Sequence, residues 1–136
     1  MTILENIEKT FNENKIRYFK GVDETKQILN VPYRGIDNET NHINIYIDID
    51  EELEIITFTF LESANKNIDI ETIRDKLLNL NSQLVSGALS MRSNSNTIEY
   101  KLSYQLKDKN FSFEQYNIYI VKCVQVYEMM QKEDII

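Results

Sequence analysis

The stretch HINIYIDID, residues 42 to 50, alternates without a break. Ile43, Ile45, Ile47 and Ile49 take one side, and His42, Asn44, Tyr46 and Asp48 the other. Successive side chains of an extended chain point to opposite faces, so this pattern predicts a strand with one apolar and one polar face. LEIITFTFLE follows the acidic turn DEE, with Ile56, Phe58 and Phe60 on one face and Ile55, Thr57 and Thr59 on the other. Two such runs joined by a short turn pair as a hairpin. Upstream, QILNVPYRG reads as a further strand. Pro32 has no amide hydrogen to donate, so it belongs at a sheet edge or where the strand ends. IRYFKG reads as a short strand or an extended lead-in, VDET as a turn and IDNETN as a polar loop.

Elsewhere the apolar period lengthens. Ile3, Leu4, Ile7 and Phe11 share one face at helical spacing, which predicts a helix over residues 2 to 15. Ile70, Ile73, Leu77, Leu80 and Leu84 form a second helical stripe. Asp69 is placed to cap it, Glu71 sits in its first turn where the helix dipole favours an anion, and the helix is expected to end near Leu84. Val85, Gly87, Leu89 and Met91 then alternate, SNSN turns the chain, and Ile98, Tyr100, Leu102, Tyr104 and Leu106 alternate against Glu99, Lys101, Ser103 and Gln105. A helix hands over to a β-hairpin. The final helix opens with Ser112 and Gln115 at capping-box spacing and with Phe111 and Tyr116 as a hydrophobic staple, and it runs to about Lys132.

The predicted order is α-β-β-β-α-β-β-α. Strands joined by short turns make an antiparallel sheet, and a clean polar face on several of them places the helices on the other face alone. The fold class is a two-layer α+β domain occupying residues 1 to 136, without repeats or linkers.

The last helix carries more apolar surface than one core needs. Phe113, Tyr116, Ile120, Cys123, Val124 and Tyr127 make an ordinary stripe, and Tyr119, Val126 and Met130 widen it to about 160°, against roughly 100° for a helix facing one core. Two readings fit. The helix is packed on two sides by its own domain, or Tyr119, Val126 and Met130 form a partner or dimer surface, for which Tyr and Met are suitable residues.

The chain has 136 residues, enough for one sizeable core. Its formal net charge is -7, its pI is about 4.8, and Arg17, Arg34, Arg74 and Arg92 are scattered. Such a chain repels phosphate backbones, so nucleic acid is not the expected partner. No apolar run approaches the ~20 residues needed to span a bilayer, and MTILENIEKTF has no basic start or apolar stretch of a signal peptide. Membranes are therefore not expected as partners, and the cytoplasm is the expected location.

Candidate chemistry is thin. Cys123 is the single cysteine and sits in the apolar run IVKCVQV, which makes it a small core side chain rather than a nucleophile. DIDEELE gathers acids, but it lacks the glycine and the downstream bidentate glutamate of a calcium loop, so it reads as a solvated hairpin tip that discourages sheet-to-sheet pairing. His42, on the polar face of its strand, has no other histidine or nearby cysteine to complete a metal site. Gly21, Gly35 and Gly87 are isolated and make no phosphate-binding loop. Tyr100 and Tyr104 point to the core and read as buried aromatics with satisfied hydroxyls. No catalytic residue, metal or cofactor is expected.

The order of elements, together with LLNLNSQLVSGALSM, NTIEYKLSYQL and FEQYNIYIVKCVQVYEMM, resembles the YbjN-like domain family, whose bacterial members carry the label of sensory transduction regulators. Asn81, Gly87 and Tyr100 stand where that family's pattern places them. The resemblance covers nearly the whole chain and implies a fold similar to that of the type III secretion chaperones, which are small, acidic, often dimeric proteins that bind partner polypeptides. It brings no catalytic residues with it. The expected function is a non-enzymatic protein-binding module, chaperone-like or adaptor-like, acting on a protein partner or as a homodimer. The alternative is a sensory or regulatory protein that recognises a small ligand or signalling partner between helix and sheet.

Overall fold

A computed structural model describes residues 1–21, 27–33, 43–92 and 94–136. The elements are α1 (Ile3–Glu13), β1 (Phe19–Lys20), β2 (Gln27–Tyr33), β3 (Ile43–Asp50), β4 (Ile55–Ser63), α2 (Ile70–Gln83), β5 (Ala88–Arg92), β6 (Thr97–Gln105) and α3 (Phe113–Lys132). The expected order is present, with β1 added from the stretch that reads as a short strand or lead-in. The strands form one sheet in the order β1-β2-β3-β4-β6-β5, and all neighbours are antiparallel.

Strand alternation decides where the core lies. Ile43, Ile45, Ile47 and Ile49 of β3, Ile56, Phe58 and Phe60 of β4, and Ile98, Tyr100 and Leu102 of β6 are all buried. Asn44 and Asp50 of β3 and Lys101, Ser103 and Gln105 of β6, on the opposite face, are exposed. The helices close over the apolar face alone. Ile3, Ile7 and Phe11 of α1, Ile73, Leu77 and Leu80 of α2, and the buried side of α3 join the strands in one cluster. Phe11 meets Tyr116 with ring centroids 5.1 Å apart, which seats α1 against the start of α3. Lys76 Nζ donates to the Glu133 carbonyl at 2.6 Å, which ties α2 to the far end of α3. The result is the two-layer α+β arrangement.

Three local expectations are met by geometry. Ser112 and Gln115 make both bonds of the capping box. Asp69 caps α2, its carboxylate accepting from Thr72 N at 2.9 Å. Gly21 N bonds to Ile28 O, so the even-numbered residues of β2 turn their backbone groups towards β1. β1 pairs only with Leu29 and Asn30, and the Pro32 nitrogen therefore faces the edge beyond it, where no donor is needed.

The acidic tip is more than solvated. The Glu51 carboxylate accepts from Ile3 N at 3.0 Å and from Leu4 N at 2.9 Å. These are orphan amides of the first turn of α1, where the helix dipole also favours an anion. The exposed Asp50 carboxylate closes the turn locally, accepting from Leu53 N at 2.9 Å. His42, Arg34 and Gly35, and the expected VDET turn and IDNETN loop, lie outside the described residues.

Candidate functional site

The segment LLNLNSQLVSGALSM builds the site. Asn81 is a poor helix former, yet it stands in the last turn of α2. Its side chain faces the edge strand β5: Asn81 Nδ2 donates to Leu89 O at 2.7 Å, and Leu89 N donates to Asn81 Oδ1 at 2.7 Å. A carboxamide offers the same donor and acceptor as a peptide group, so Asn81 stands in for the neighbour that an edge strand lacks. Leu84 leaves α2 in extended backbone. Gly87 then turns the chain with φ +78, in the left-handed region that favours glycine. A Cβ at Gly87 would lie 2.6 Å from Cε1 and Cζ of Tyr100. The Tyr100 hydroxyl donates to Ser86 O at 3.0 Å. The three residues that carry the resemblance, Asn81, Gly87 and Tyr100, thus converge on one junction and lock it.

The alternation of Val85 and Gly87 with Leu89 and Met91 is only half strand. β5 begins at Ala88, and Val85 is fully exposed. The chain between α2 and β5 crosses from the helix layer to the sheet, and this crossing leaves a cleft against α3. The cleft has a volume of about 380 Å³ and is lined by Leu84, Val85, Tyr100, Val126 and Met129, with Gln83, Ser86, Lys122 and Gln125 supplying its polar groups.

The expected partner surface is redrawn by the same geometry. Val126 and Met130 are 4% and 0% exposed, and both belong to the core cluster. Tyr119 is half-buried and stacks on Tyr104 with ring centroids 3.7 Å apart. At about 100° per residue, Tyr116, Tyr119, Ile120, Cys123, Val126, Tyr127 and Met130 span one arc of about 120° against the sheet. Tyr119, Val126 and Met130 form one flank of a single core face. Val124 and Met129 flank this face half-buried, and the apolar residues of α3 left exposed are Phe113, Ile118 and Val121. Of the trio, Val126 lines the cleft.

The thiol and phenols buried between α3 and the sheet are unreactive. Burial pushes the Cys123 thiol up to about 12 and the Tyr100 hydroxyl also to about 12, so both stay protonated and un-nucleophilic at neutral pH. Burial raises Tyr104 further, and its hydroxyl is enclosed without a partner, contrary to the expectation for that residue. On the open sheet face, burial works against the charge of Glu99, but hydrogen bonds from Arg92 at 2.8 Å and Lys101 at 3.3 Å overcome it and hold its carboxyl below the ordinary range. A second cleft, of about 460 Å³, lies among Ser63–Asn65, Lys66, Ile68, Ile70, Ser95 and Asn96, with Lys66 as its one charged group. Among the described residues no group of three or more His, Cys, Asp or Glu side chains is placed to hold a metal ion. No helix among them is long and apolar enough to cross a membrane.

No protein-family model matches the sequence, and no curated protein is significantly similar to it. Solved structures do match. The chain is similar to the crystal structure of YbjN, "a putative transcription regulator from E. coli", with a TM-score of 0.61 and 14% identity, over 93% of this chain and 86% of that one. The chain has the YbjN-like fold that its sequence pattern implies.

Proposed function

We propose that this chain is a non-enzymatic cytoplasmic module, chaperone-like or adaptor-like, that binds a protein partner through the cleft between the α2–β5 junction and α3. The observation that carries this is the apolar lining of the cleft, with Val85 wholly exposed on its lip. An exposed apolar side chain beside an apolar hollow is the arrangement of a binding surface. The lining offers one cation, Lys122, and no base beside a nucleophile, which argues against acid–base or covalent chemistry there. The net charge of -7 argues against nucleic acid as the partner. Affinity capture from the native cell, run with the wild type and with Val85→Asp, tests the reading. A defined protein should be retained by the wild type and lost with the variant, and an identical captured set for both would overturn it.

The second reading is a regulatory protein that takes a small ligand in the same cleft. It is favoured by the volume of about 380 Å³, which falls within the usual range of roughly 300–1,000 Å³ for ligand pockets, and by the likeness to a protein described as a regulator. Native mass spectrometry of protein purified from its own cell would reveal a bound small molecule as added mass.

A further inference from the structure

β6 is longer than the strand beside it. The β5–β6 pairing runs from Arg92↔Thr97 to Ala88↔Lys101 and stops, while β6 continues to Gln105. Which backbone groups this leaves open follows from the ladder on the other side. Leu106 N bonds to Glu54 O at 2.8 Å and Ala64 N bonds to Asn96 O at 3.0 Å, at opposite ends of the β4–β6 pair. Both fix the even-numbered residues of β6 as those that exchange hydrogen bonds with β4. The odd-numbered residues turn their N–H and C=O towards the β5 side. The Asn81 bonds to Leu89 agree, because they require Leu89, opposite Tyr100, to face away from β6. Ser103 and Gln105 therefore present main-chain donors and acceptors in the plane of the sheet, with no strand opposite them. No other backbone hydrogen bond among the described residues reaches them from that side.

Continued past Ala88↔Lys101, the β5–β6 register would set Ser86 and Leu84 opposite Ser103 and Gln105, and both Ser86 and Leu84 line the cleft instead. Its core-facing neighbour is Tyr104, stacked on Tyr119, and the Lys122 ammonium lies 5.6 Å from the Tyr119 ring. Lys122 is the one charged residue lining the cleft.

We infer that an extended segment of a partner polypeptide adds to the sheet here, pairing its main chain with Ser103 and Gln105. Its residues alternate, so those facing the helix layer enter the cleft beside Val85 and Val126, and an acidic residue among them meets Lys122. The occupant is an extended main chain because Ser103 and Gln105 repeat their open N–H and C=O at the two-residue spacing of a strand, and it is acidic because the site's cation in an acidic chain calls for the opposite charge. This rests on the protein-binding reading and adds the mode of binding.

The test uses random dodecapeptides displayed on phage and selected against the full chain. The most enriched peptide is then synthesised, and its affinity is measured for the wild type, Ser103→Pro, Lys122→Glu and Val85→Asp. Ser103 donates nothing to the β4–β6 ladder, so proline is tolerated there as on other edges. Should it fail to fold, Gln105→Pro replaces it. Amide exchange is followed by NMR in the wild type, which needs no variant. The expected result is a peptide with alternating apolar residues and an acid, weakened about tenfold or more by Ser103→Pro and by Lys122→Glu, whose binding slows exchange at Ser103 and Gln105. Binding that is lost with Val85→Asp but leaves Ser103→Pro and both amides unaffected would overturn strand addition while keeping the protein-binding reading. Enrichment no better than on a bare surface would overturn both. Protection of the two amides that grows with protein concentration, without peptide, would assign the edge to a second copy and overturn the partner assignment.

Discussion

Replacing Gly87 with alanine adds one methyl group at a position where both backbone and space refuse it. The backbone φ of +78 lies in the left-handed region, which costs an L residue roughly 1–2 kcal/mol. The new Cβ would stand 2.6 Å from two ring carbons of Tyr100. Tyr100 cannot swing aside freely, because it is 0% exposed, packs on Phe60 and is tethered through its hydroxyl to Ser86 O. Forcing a methyl into a packed site costs about 1–3 kcal/mol. Alanine also stiffens the unfolded chain, which offsets about 0.4–1 kcal/mol. The net loss should be roughly 1–4 kcal/mol, a large share of the about 5–15 kcal/mol by which domains are stable. Urea denaturation of the wild type, Gly87→Ala and Gly87→Asn measures it. Asparagine tolerates the left-handed region but carries the same Cβ, so it should recover only the backbone part. In a Tyr100→Phe background the alanine cost should shrink, since the phenol oxygen is the nearest obstacle. A Gly87→Ala protein within about 0.5 kcal/mol of the wild type would refute this account of the junction.

Further outcomes can be read by similar means. Glu51→Ala should cost about 0.5–2 kcal/mol, as loss of a helix cap does, and should speed amide exchange at Ile3 and Leu4; unchanged exchange would mean that the tip is merely solvated. Ile47→Ala should cost about 2–5 kcal/mol because Ile47 is fully buried, while Tyr46→Ala on the uncovered face should cost much less, and equal losses would show that both faces are covered. Glu99 has a carboxyl pKa held below its unfolded value, so its contribution is whole above the ordinary carboxylate range and fades as pH falls through the folded value. Glu99→Gln should therefore be less stable at neutral pH, with a stability that varies less than the wild type's between about pH 5 and 3, and parallel pH profiles would contradict the pairing with Arg92 and Lys101.

Much of this protein was legible one short window at a time. The four isoleucines of β3, the stripes of α1 and α2, the Asp69 cap and the Ser112–Gln115 box each depend on neighbours within a turn or two, and period and capping chemistry are local properties. The covered face of the sheet followed from the same alternation, and the resemblance to YbjN-like domains rested on the order in which these local signals occur.

Contacts that join distant segments were not legible. Glu51 bonds to residues 47 and 48 positions away, and nothing in DIDEELE marks it as the cap of the first helix. Val85 and Gly87 alternate like strand residues, but whether a chain lies in a sheet or climbs past it depends on where the sheet is. The width of the apolar arc on α3 was visible in the sequence; its orientation was not, and only the sheet beneath it decided that Val126 and Met130 face inward. Asn81 could be noticed as an odd residue for a helix. That its amide completes the edge of β5, and that β6 runs on past β5 to leave Ser103 and Gln105 unpaired, follows only from a sheet order in which β6 lies between β4 and β5. Strand order is set by which apolar faces can close over one another, and that is a property of the whole chain rather than of any window within it.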